Sequence, residues 1–593
     1  TLQEDVLNGK LKQLFFNILN TEEGKRSDVD PKFREVPYLN GSLFVKIRTE
    51  EKNSEYQVKA EILKKVIEFL NAFRFVSEGE EAEEALDPEI LGYLFERAIT
   101  ATDRKGTGAY YTPKTITRYI CENTVYPYML DQVNRYLKEK KGYKDSELLN
   151  AIDEMFTRIA DTTLADINTE ILPEITVCDP ACGSGAFLLA AAEILLDIHQ
   201  RVRDKLGARS TDVALKKLVL KNSIYGVDIN HKAIEIAKLR LWLWIVESYS
   251  PGKKPEPLPN LEYNIRPGNS LVGYIDILRF REAKVSMDEY LGVETPVMGL
   301  IKERDDLLKE YKSAYGSKAQ ELKKRLRDFD EKIKLKLDIH LFQEMREKKI
   351  PISPTEFAKL DPFHWGFDFH KVFENGAGGF SVVIGNPPYV RQEALKEQKQ
   401  VYKEYYETYH GVADLYVYFY ERGHRLLRQG GRFGFISSNK FMRANYGQKL
   451  KEFLTRSIYL TQIIDFGDLP VFEDATAYPV IFLTERSEAA GRSTLYTPVR
   501  SLDFQSLNSV VQVSGQTLPE AAFRGYTWSL GDEKELSVMK KMEALGQPLG
   551  KYVGGMTKRG VLTGFNKAFI IDRETRDALV KKDPKSAEII KPL

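Results

Sequence analysis

Three cysteines in 593 residues are too few for a disulfide framework, which points to a reducing, cytoplasmic setting. The seven histidines are spread as thinly. His364 and His370 come closest to a pair, but no Cys or second His cluster completes a zinc spacing, so no metal is expected. No apolar run approaches the roughly 18 residues of a membrane span, and no secretory signal opens the chain, so no membrane partner is expected. An excess of one charge is missing too: 87 Lys and Arg face 86 Asp and Glu, for a net charge of +1. That removes any global nucleic-acid signature, although a basic cleft can be balanced by acidic surface elsewhere. No internal repeat occurs. What remains is a globular profile, 42% hydrophobic and 29% charged. The chain is long enough for two or three domains with large cores.

The pattern divides the chain into three parts. Residues 1–105 read as mainly helical, with a helix start at Asp87-Pro88-Glu89-Ile90-Leu91, where Asp is the N-cap and Pro the first helical residue. The acidic run from Glu78 to Glu84 before it reads as an exposed linker or helix face. From 106 to 490, short β-branched runs alternate with helical stretches, as in Ile175-Thr176-Val177-Cys178, Ile224-Tyr225-Gly226-Val227 and Phe433-Gly434-Phe435-Ile436. This alternation predicts an α/β layer fold around a mainly parallel sheet. Within it, Leu308, Tyr311, Tyr315, Ala319, Leu322, Leu326, Phe329 and Ile333 recur at helical spacing amid dense charge. They predict a helical insertion over about 300–350, broken near Gly316. Residues 491–593 are rich in Ser, Gly, Gln and Thr, with weak periodicity. They read as a linker and the opening of a further domain, so that the chain as a whole reads as a fragment.

The residues richest in chemistry are Asn386-Pro387-Pro388-Tyr389, which close the apolar run Phe380-Ser381-Val382-Val383-Ile384-Gly385. Asn386 offers an amide oxygen. Pro387 has a carbonyl but no N–H, so it accepts without donating. Pro388 stiffens the loop further, and Tyr389 adds an aromatic face. Two acceptors and a ring suit a planar base carrying an exocyclic NH2. The same four residues also make an ordinary stiff turn at a strand end.

A second constellation lies upstream. Asp179-Pro180-Ala181-Cys182-Gly183-Ser184-Gly185 joins the strand at Ile175 to a long apolar helix from Ala186. A strand, a Gly-x-Gly loop and a helix form a nucleotide-type site at the carboxyl edge of a sheet. A dinucleotide fingerprint would need a third glycine at position 188, where Leu188 stands, and a ribose acid about 20 residues on. The next strand-end acid, Asp228, comes much later, so a dinucleotide is disfavoured. Asp228 is placed to accept from two ribose hydroxyls. Ile229 can pack on an adenine face, and Asn269, in Gly268-Asn269-Ser270-Leu271, can read the adenine edge. Thr112, closing Thr107-Gly108-Ala109-Tyr110-Tyr111-Thr112-Pro113, suits a carboxylate. Taken singly, each reads equally well as a strand end or helix cap.

In this order the motifs resemble those of S-adenosylmethionine-dependent amino-methyltransferases, and specifically the gamma class of DNA adenine-N6 methyltransferases. The match runs from Tyr111 through the Asp179 loop, Asp228, Asn269 and the tetrapeptide. It continues through Asp414-Leu415-Tyr416, Gly431-Arg432-Phe433 and Val471-Phe472. More narrowly, the chain resembles large type IIG restriction–modification enzymes and related phage-defence methyltransferases. That likeness rests on Pro37-Tyr38-Leu39-Asn40-Gly41, Pro88-Glu89-Ile90-Leu91-Gly92, Pro362-Phe363-His364-Trp365, Asn439-Lys440-Phe441 and Thr563-Gly564-Phe565-Asn566-Lys567. The resemblance implies a Rossmann-like methyltransferase sheet, an N-terminal helical domain and the start of a C-terminal target-recognition domain. It implies S-adenosylmethionine as cofactor and double-stranded DNA as partner, with an N-terminal nuclease domain a common companion in full-length members. Thr112 and the Asp179, Ala181, Gly183 and Gly185 loop would hold the methionine moiety. Asp228 would hold the ribose, Asn269 would contact adenine, and Phe472 would stack on the flipped base opposite Tyr389. Ser381 departs from the pattern, which carries Asp there.

The chemistry follows from the amine. Adenine N6 is a poor nucleophile because its lone pair delocalises into the ring. Accepting both hydrogens at Asn386 and the Pro387 carbonyl favours a more tetrahedral nitrogen that can displace a sulfonium methyl in line. Extruding the base costs a few kcal/mol, which stacking of roughly 1–3 kcal/mol per base offsets. Cytosine C5 chemistry needs a nucleophilic Cys and no Pro-Cys pair occurs, so it is out. Two alternatives stand beside the main reading: a protein-glutamine N5 methyltransferase, whose amide poses the same problem, and a non-catalytic DNA-binding fragment. No Pro-Asp followed by Glu-x-Lys on a strand appears, so nuclease activity is not expected in this chain.

Overall fold

A computed structural model describes residues 112–523 with short internal gaps. Outside them it describes parts of 6–39, residues 60–71, 74–75 and 85–86, parts of 528–554, and residues 571–590. The expected helix start at Asp87, the acidic run before it, and Thr107–Tyr111 lie outside the described residues, as does Thr563–Phe569. Two compact units divide at Trp528 and Ser529.

The first unit is built on a nine-stranded sheet. Its strands are β1 (Val177–Asp179), β2 (Ile224–Asp228), β3 (Ile265–Pro267), β4 (Phe380–Gly385), β5 (Leu427–Ser438), β6 (Tyr459–Asp465), β7 (Pro479–Glu485), β8 (Ser493–Pro498) and β9 (Gln516–Pro519). Their order is β9-β8-β6-β7-β5-β4-β1-β2-β3. β3, β2, β1, β4 and β5 run parallel, while β7 is antiparallel to both β5 and β6. This is the mixed α/β, methyltransferase-like sheet anticipated from the sequence, preceded by helical turns at Val6–Leu11 and Leu14–Ile18 and a helix at Ala60–Asn71. β4 is buried along its whole length, as a parallel strand covered on both faces should be.

The longer helices of this part are α1 (Lys114–Lys141), α2 (Ala186–Leu206), α3 (Asp212–Asn222), α4 (His231–Val246), α5 (Val297–Tyr311), α6 (Gly316–Glu347), α7 (Gln398–Tyr405) and α8 (Tyr416–Leu426). α1 packs against α2 and β5. α2 begins directly after the loop that follows β1, and twelve of its residues are buried. α5 and α6 meet at Gly316, whose φ of +62° makes the corner. Leu308, Tyr311, Ala319, Leu322 and Leu326 form a separate apolar cluster between them with Tyr263. The fully buried Arg304 sits inside this pair, bonded to Asp330 (3.0 Å) and stacked over Phe367 (4.9 Å). The N-terminal segment docks here: the Tyr38 hydroxyl accepts the Gly316 N–H at 3.1 Å.

One expected boundary is corrected. The stretch read as a linker from residue 491 contributes β8, a helix at Leu507–Ser514 and β9 to the same sheet. β8 pairs parallel to β6 through Leu495, Tyr496, Thr497 and Pro498. β9 is the edge strand, where one buried residue suffices, and β8 beside it is largely polar in composition, so neither was marked as a strand.

Candidate functional site

The strand order reverses between β1 and β4, and in such sheets ligands bind at the carboxyl ends of the flanking strands. The chain fills this position from both sides. β1 ends at Asp179, whose Oδ1 accepts the Ala181 N–H at 2.9 Å. The Cys182 N–H reaches Val227 O (3.0 Å) and the Gly185 N–H reaches Cys182 O (2.8 Å), which winds the loop tightly. Gly185 has φ +88°, and a Cβ there would lie 3.0 Å from that of Ala237, so glycine is required. Two side chains brace the loop. The buried Arg240 donates to Ser184 O at 3.0 Å, and the Ser270 hydroxyl donates to Pro180 O at 2.5 Å.

Asp228 ends β2 and accepts the N–H groups of Gly183 (2.9 Å) and Asn230 (2.7 Å), one on each oxygen. Its enclosure raises its pKa, against the pull of those two donors. Burial likewise holds the Asp179 carboxyl well above the ordinary range; the Ala181 N–H opposes this, and the Asp228 charge adds to it. Two enclosed carboxylates side by side favour a cationic ligand. Asn269 is held from behind: its N–H donates to Asp361 O (2.9 Å), and its Oδ1 accepts the Leu271 N–H (3.1 Å). The Pro362–Trp365 motif is the buttress. The Phe363 N–H reaches Val272 O at 2.8 Å, and the Trp365 indole reaches Ser270 O at 3.0 Å. His364 and His370 serve separate carboxylates, Asp338 at 3.0 Å and Asp305 at 2.5 Å. Among the described residues, no group of three or more His, Cys, Asp or Glu could hold a metal.

On the other side, β4 ends at Gly385 with φ +154°; a Cβ there would stand 2.6 Å from Asp179 Oδ1. Only glycine lets the two strand ends approach so closely. Asn386 follows, and its Nδ2 donates to Thr112 Oγ1 at 3.0 Å. Pro387 is buried, and Pro388 and Tyr389 are half-buried. Asp414-Leu415-Tyr416 clasps the far end of this loop: the Leu415 N–H reaches Val390 O at 3.0 Å, and the Gln392 N–H reaches Asp414 Oδ1 at 3.3 Å. The Tyr389 ring lies 6.0 Å from Phe472, tilted by 59°, and 6.1 Å from Tyr416. Phe472 is buried, on a loop fixed by Asn439. The Asn439 N–H bonds Tyr478 O (2.8 Å), and its Nδ2 bonds Asp465 Oδ1 (2.9 Å). Ser381 bonds Thr176 from within β4: its N–H reaches Thr176 Oγ1 at 3.1 Å, and its hydroxyl accepts the Thr176 N–H at 3.2 Å.

A cavity of about 340 Å³ collects these residues, within the range of small-molecule sites. Thr112, Asp179, Ala181, Gly183, Asp228, Ile229, Asn269, Asn386 and Pro388 line it. Gly185 shapes the loop from behind, while Pro387, Tyr389 and Phe472 lie outside the lining. The opposite wall comes from residues with no motif to mark them: Leu395, then Gln398 and Tyr402 of α7, then Phe419 of α8. Leu415 joins them, and its motif did carry a signal.

Residues 222–472 match the Eco57I restriction-modification methylase family, and residues 156–255 match the MmeI DNA-methyltransferase domain. Residues 7–59 match a domain of unknown function. A provisionally assigned type II restriction enzyme and methyltransferase of Methanocaldococcus jannaschii, RM.MjaORFECS2P, is 33% identical over 512 residues, 75% of this chain and 42% of the relative. The Escherichia coli type II restriction enzyme and methyltransferase RM.Eco57I is 24% identical over 477 residues, 77% of this chain and 36% of the relative. The chain thus spans less than half the length of either. In fold it is similar to the type IIL restriction–modification enzyme MmeI, solved in complex with DNA, with a TM-score of 0.53 and 15% identity. That likeness covers 99% of this chain and 62% of MmeI.

Removing Asp228 tests the cofactor half. If the cavity takes S-adenosylmethionine, as the sequence resemblance implies, Asp228→Ala would lose charge-assisted hydrogen bonds of roughly 1.5–3 kcal/mol, a ten- to hundredfold loss of affinity by calorimetry. Unchanged affinity would remove Asp228 from the site. A cation in this cavity would be attracted by the ionised carboxylates, so its affinity would fall as pH drops through their raised pKa values. The loss therefore begins at a higher pH than an ordinary carboxylate would give, and affinity flat across mildly acidic buffer would contradict the enclosure argued above.

Proposed function

From the match of residues 222–472 to the Eco57I restriction-modification methylase family and of residues 156–255 to the MmeI DNA-methyltransferase domain, we propose that this chain methylates adenine N6 in double-stranded DNA. The reading places it with the gamma-class, type IIG-like enzymes of restriction–modification or phage defence. DNA cleavage is not part of it. The observation that carries the reading is the shared cavity: the Gly183 loop with Asp228, and the Asn386 tetrapeptide, open into one space at the switch point.

The residues suit S-adenosylmethionine on three physical grounds. The cavity has the size of a small-molecule site, the Gly183–Gly185 backbone permits close approach, and Asp179 and Asp228 favour a cation. When bound, S-adenosylmethionine supplies an electrophilic sulfonium methyl. The chain's own residues do the rest. Asp228 accepts from ribose hydroxyls. Asn269 has Oδ1 committed to Leu271, which leaves its Nδ2 to donate to an adenine ring nitrogen. Ile229, 55% exposed, offers an apolar face beside Asp228.

On the acceptor side, Asn386 Oδ1 and the Pro387 carbonyl take the two amine hydrogens. With Nδ2 turned to Thr112, the other end of the amide is an acceptor, the polarity an NH2 requires. The catalysis is positioning plus electrostatics, with no covalent enzyme intermediate. A base stacked between Tyr389 and Phe472 needs the rings about 7 Å apart, twice an aromatic contact distance. At 6.0 Å and 59° they touch each other instead. Capture of the base therefore requires one ring to swing aside.

Labelled S-adenosylmethionine offered with duplex DNA or with a protein extract tests the reading. Label in DNA is expected; label in protein alone favours glutamine methylation, and label in neither favours a non-catalytic fragment. Variants divide the labour further. Asn386→Ala should retain the cofactor and base flipping, read by 2-aminopurine fluorescence, but lose methyl transfer. Tyr389→Ala and Phe472→Ala should each lose a stacking increment of roughly 1–3 kcal/mol, and a mismatch opposite the target should restore much of it. Equal rescue of all three variants by the mismatch would overturn this division of roles.

A further inference from the structure

Thr112 lies 274 positions before Asn386 in the chain, yet its hydroxyl accepts the Asn386 Nδ2 amide at 3.0 Å. Thr112 is only 4% exposed and lines the same cavity as Gly183 and Asp228. A hydroxyl has one hydrogen to donate and lone pairs to accept. Here the lone pair is used by Asn386, and among the described residues the hydroxyl hydrogen has no acceptor. We propose that Thr112 is a positioning residue that couples cofactor occupancy to the orientation of the Asn386 amide. The inference rests on the methyltransferase reading above.

The argument is one of hydrogen-bond polarity. An asparagine amide can turn over by rotation about its last side-chain bond, presenting either NH2 or oxygen to a neighbour. With its hydrogen uncommitted, the Thr112 hydroxyl can accept from Nδ2 or donate to Oδ1, so it tolerates both orientations. Once that hydrogen goes to an acceptor in the cofactor cavity, the hydroxyl can only accept from Asn386. The amide must then turn Nδ2 toward Thr112 and Oδ1 away from it, toward the amine to be methylated. The cofactor's carboxylate is the strongest acceptor that could take the hydrogen. A filled cofactor site thereby selects the catalytic orientation of Asn386 without touching it.

The test compares wild-type protein with Thr112→Val, which keeps the shape and removes the hydroxyl, and Thr112→Ser, which restores it. Calorimetry with S-adenosylmethionine and with its decarboxylated analogue reads the first contact. Wild type and Thr112→Ser should discriminate between the two ligands, and Thr112→Val should lose about fivefold to tenfold of that discrimination. Single-turnover methyl transfer at saturating cofactor reads the second contact: Thr112→Val should fall about tenfold, and Thr112→Ser should recover. Thermal melting of each variant identifies a folding defect, and the serine variant keeps the inference testable if valine is not tolerated. Full-rate transfer by Thr112→Val at saturating cofactor would overturn the coupling, as would failure of serine to rescue. Wild type that transfers no methyl to DNA would instead sink the methyltransferase reading, so the two failures are distinguishable.

Discussion

Everything in this site depends on how closely the ends of β1 and β4 approach. The two strands pair in parallel through Val177 with Val382 and Cys178 with Val383. Their continuations part in opposite directions because the strand order reverses there. Gly385 makes the contact possible, since any side chain at that point would collide with the Asp179 carboxylate. The Asp179 loop leads to Gly183 and α2, whereas the β4 end leads to Asn386. One backbone approach thus brings the Asp179 and Asp228 carboxylates and the Asn386 loop into a common cavity.

Around that contact, three motifs on which the sequence resemblance rests act as braces. Pro362–Trp365 supports the Asn269 loop through Val272 and Ser270. Asp414–Tyr416 holds the tetrapeptide from beyond Val390, and Asn439 fixes the loop that carries Phe472. None of these residues need touch a reacting atom. Their hydrogen bonds remove freedom from the loops around the cavity, and on the proposed reading such positioning would lower a barrier without new chemistry. Enclosing Asp179 and Asp228 disfavours their ionised forms, a stability cost that a cationic ligand would offset.

What the sequence disclosed was local. The Asp179 loop, Asp228 and the tetrapeptide could be recognised because strand, turn and helix start are contiguous, and glycine and proline have positional meaning. The helices on either side of Gly316 were legible from their spacing. Contacts between distant segments were not. Nothing in Thr112 or Asn386 alone signals that they bond each other, and no periodicity marks Gln398 or Tyr402 as a cavity wall. β9 escaped notice because an edge strand need bury little, here one residue of four, and β8 because its run Ser493-Thr494-Leu495-Tyr496-Thr497-Pro498 is largely polar. Nor could sequence show that Tyr389 and Phe472 touch before a base is present.

The central claim is that an amide oxygen and a proline carbonyl are arranged to accept an exocyclic amine within reach of a cofactor cavity. The atom that receives the methyl group tests it most directly. Duplex DNA carrying the recognised site would be incubated with the protein and S-adenosylmethionine, digested to nucleosides and resolved by mass spectrometry. The account predicts N6-methyladenine as the methylated product. N4-methylcytosine, or methyl groups found on glutamine side chains in place of DNA, would contradict it.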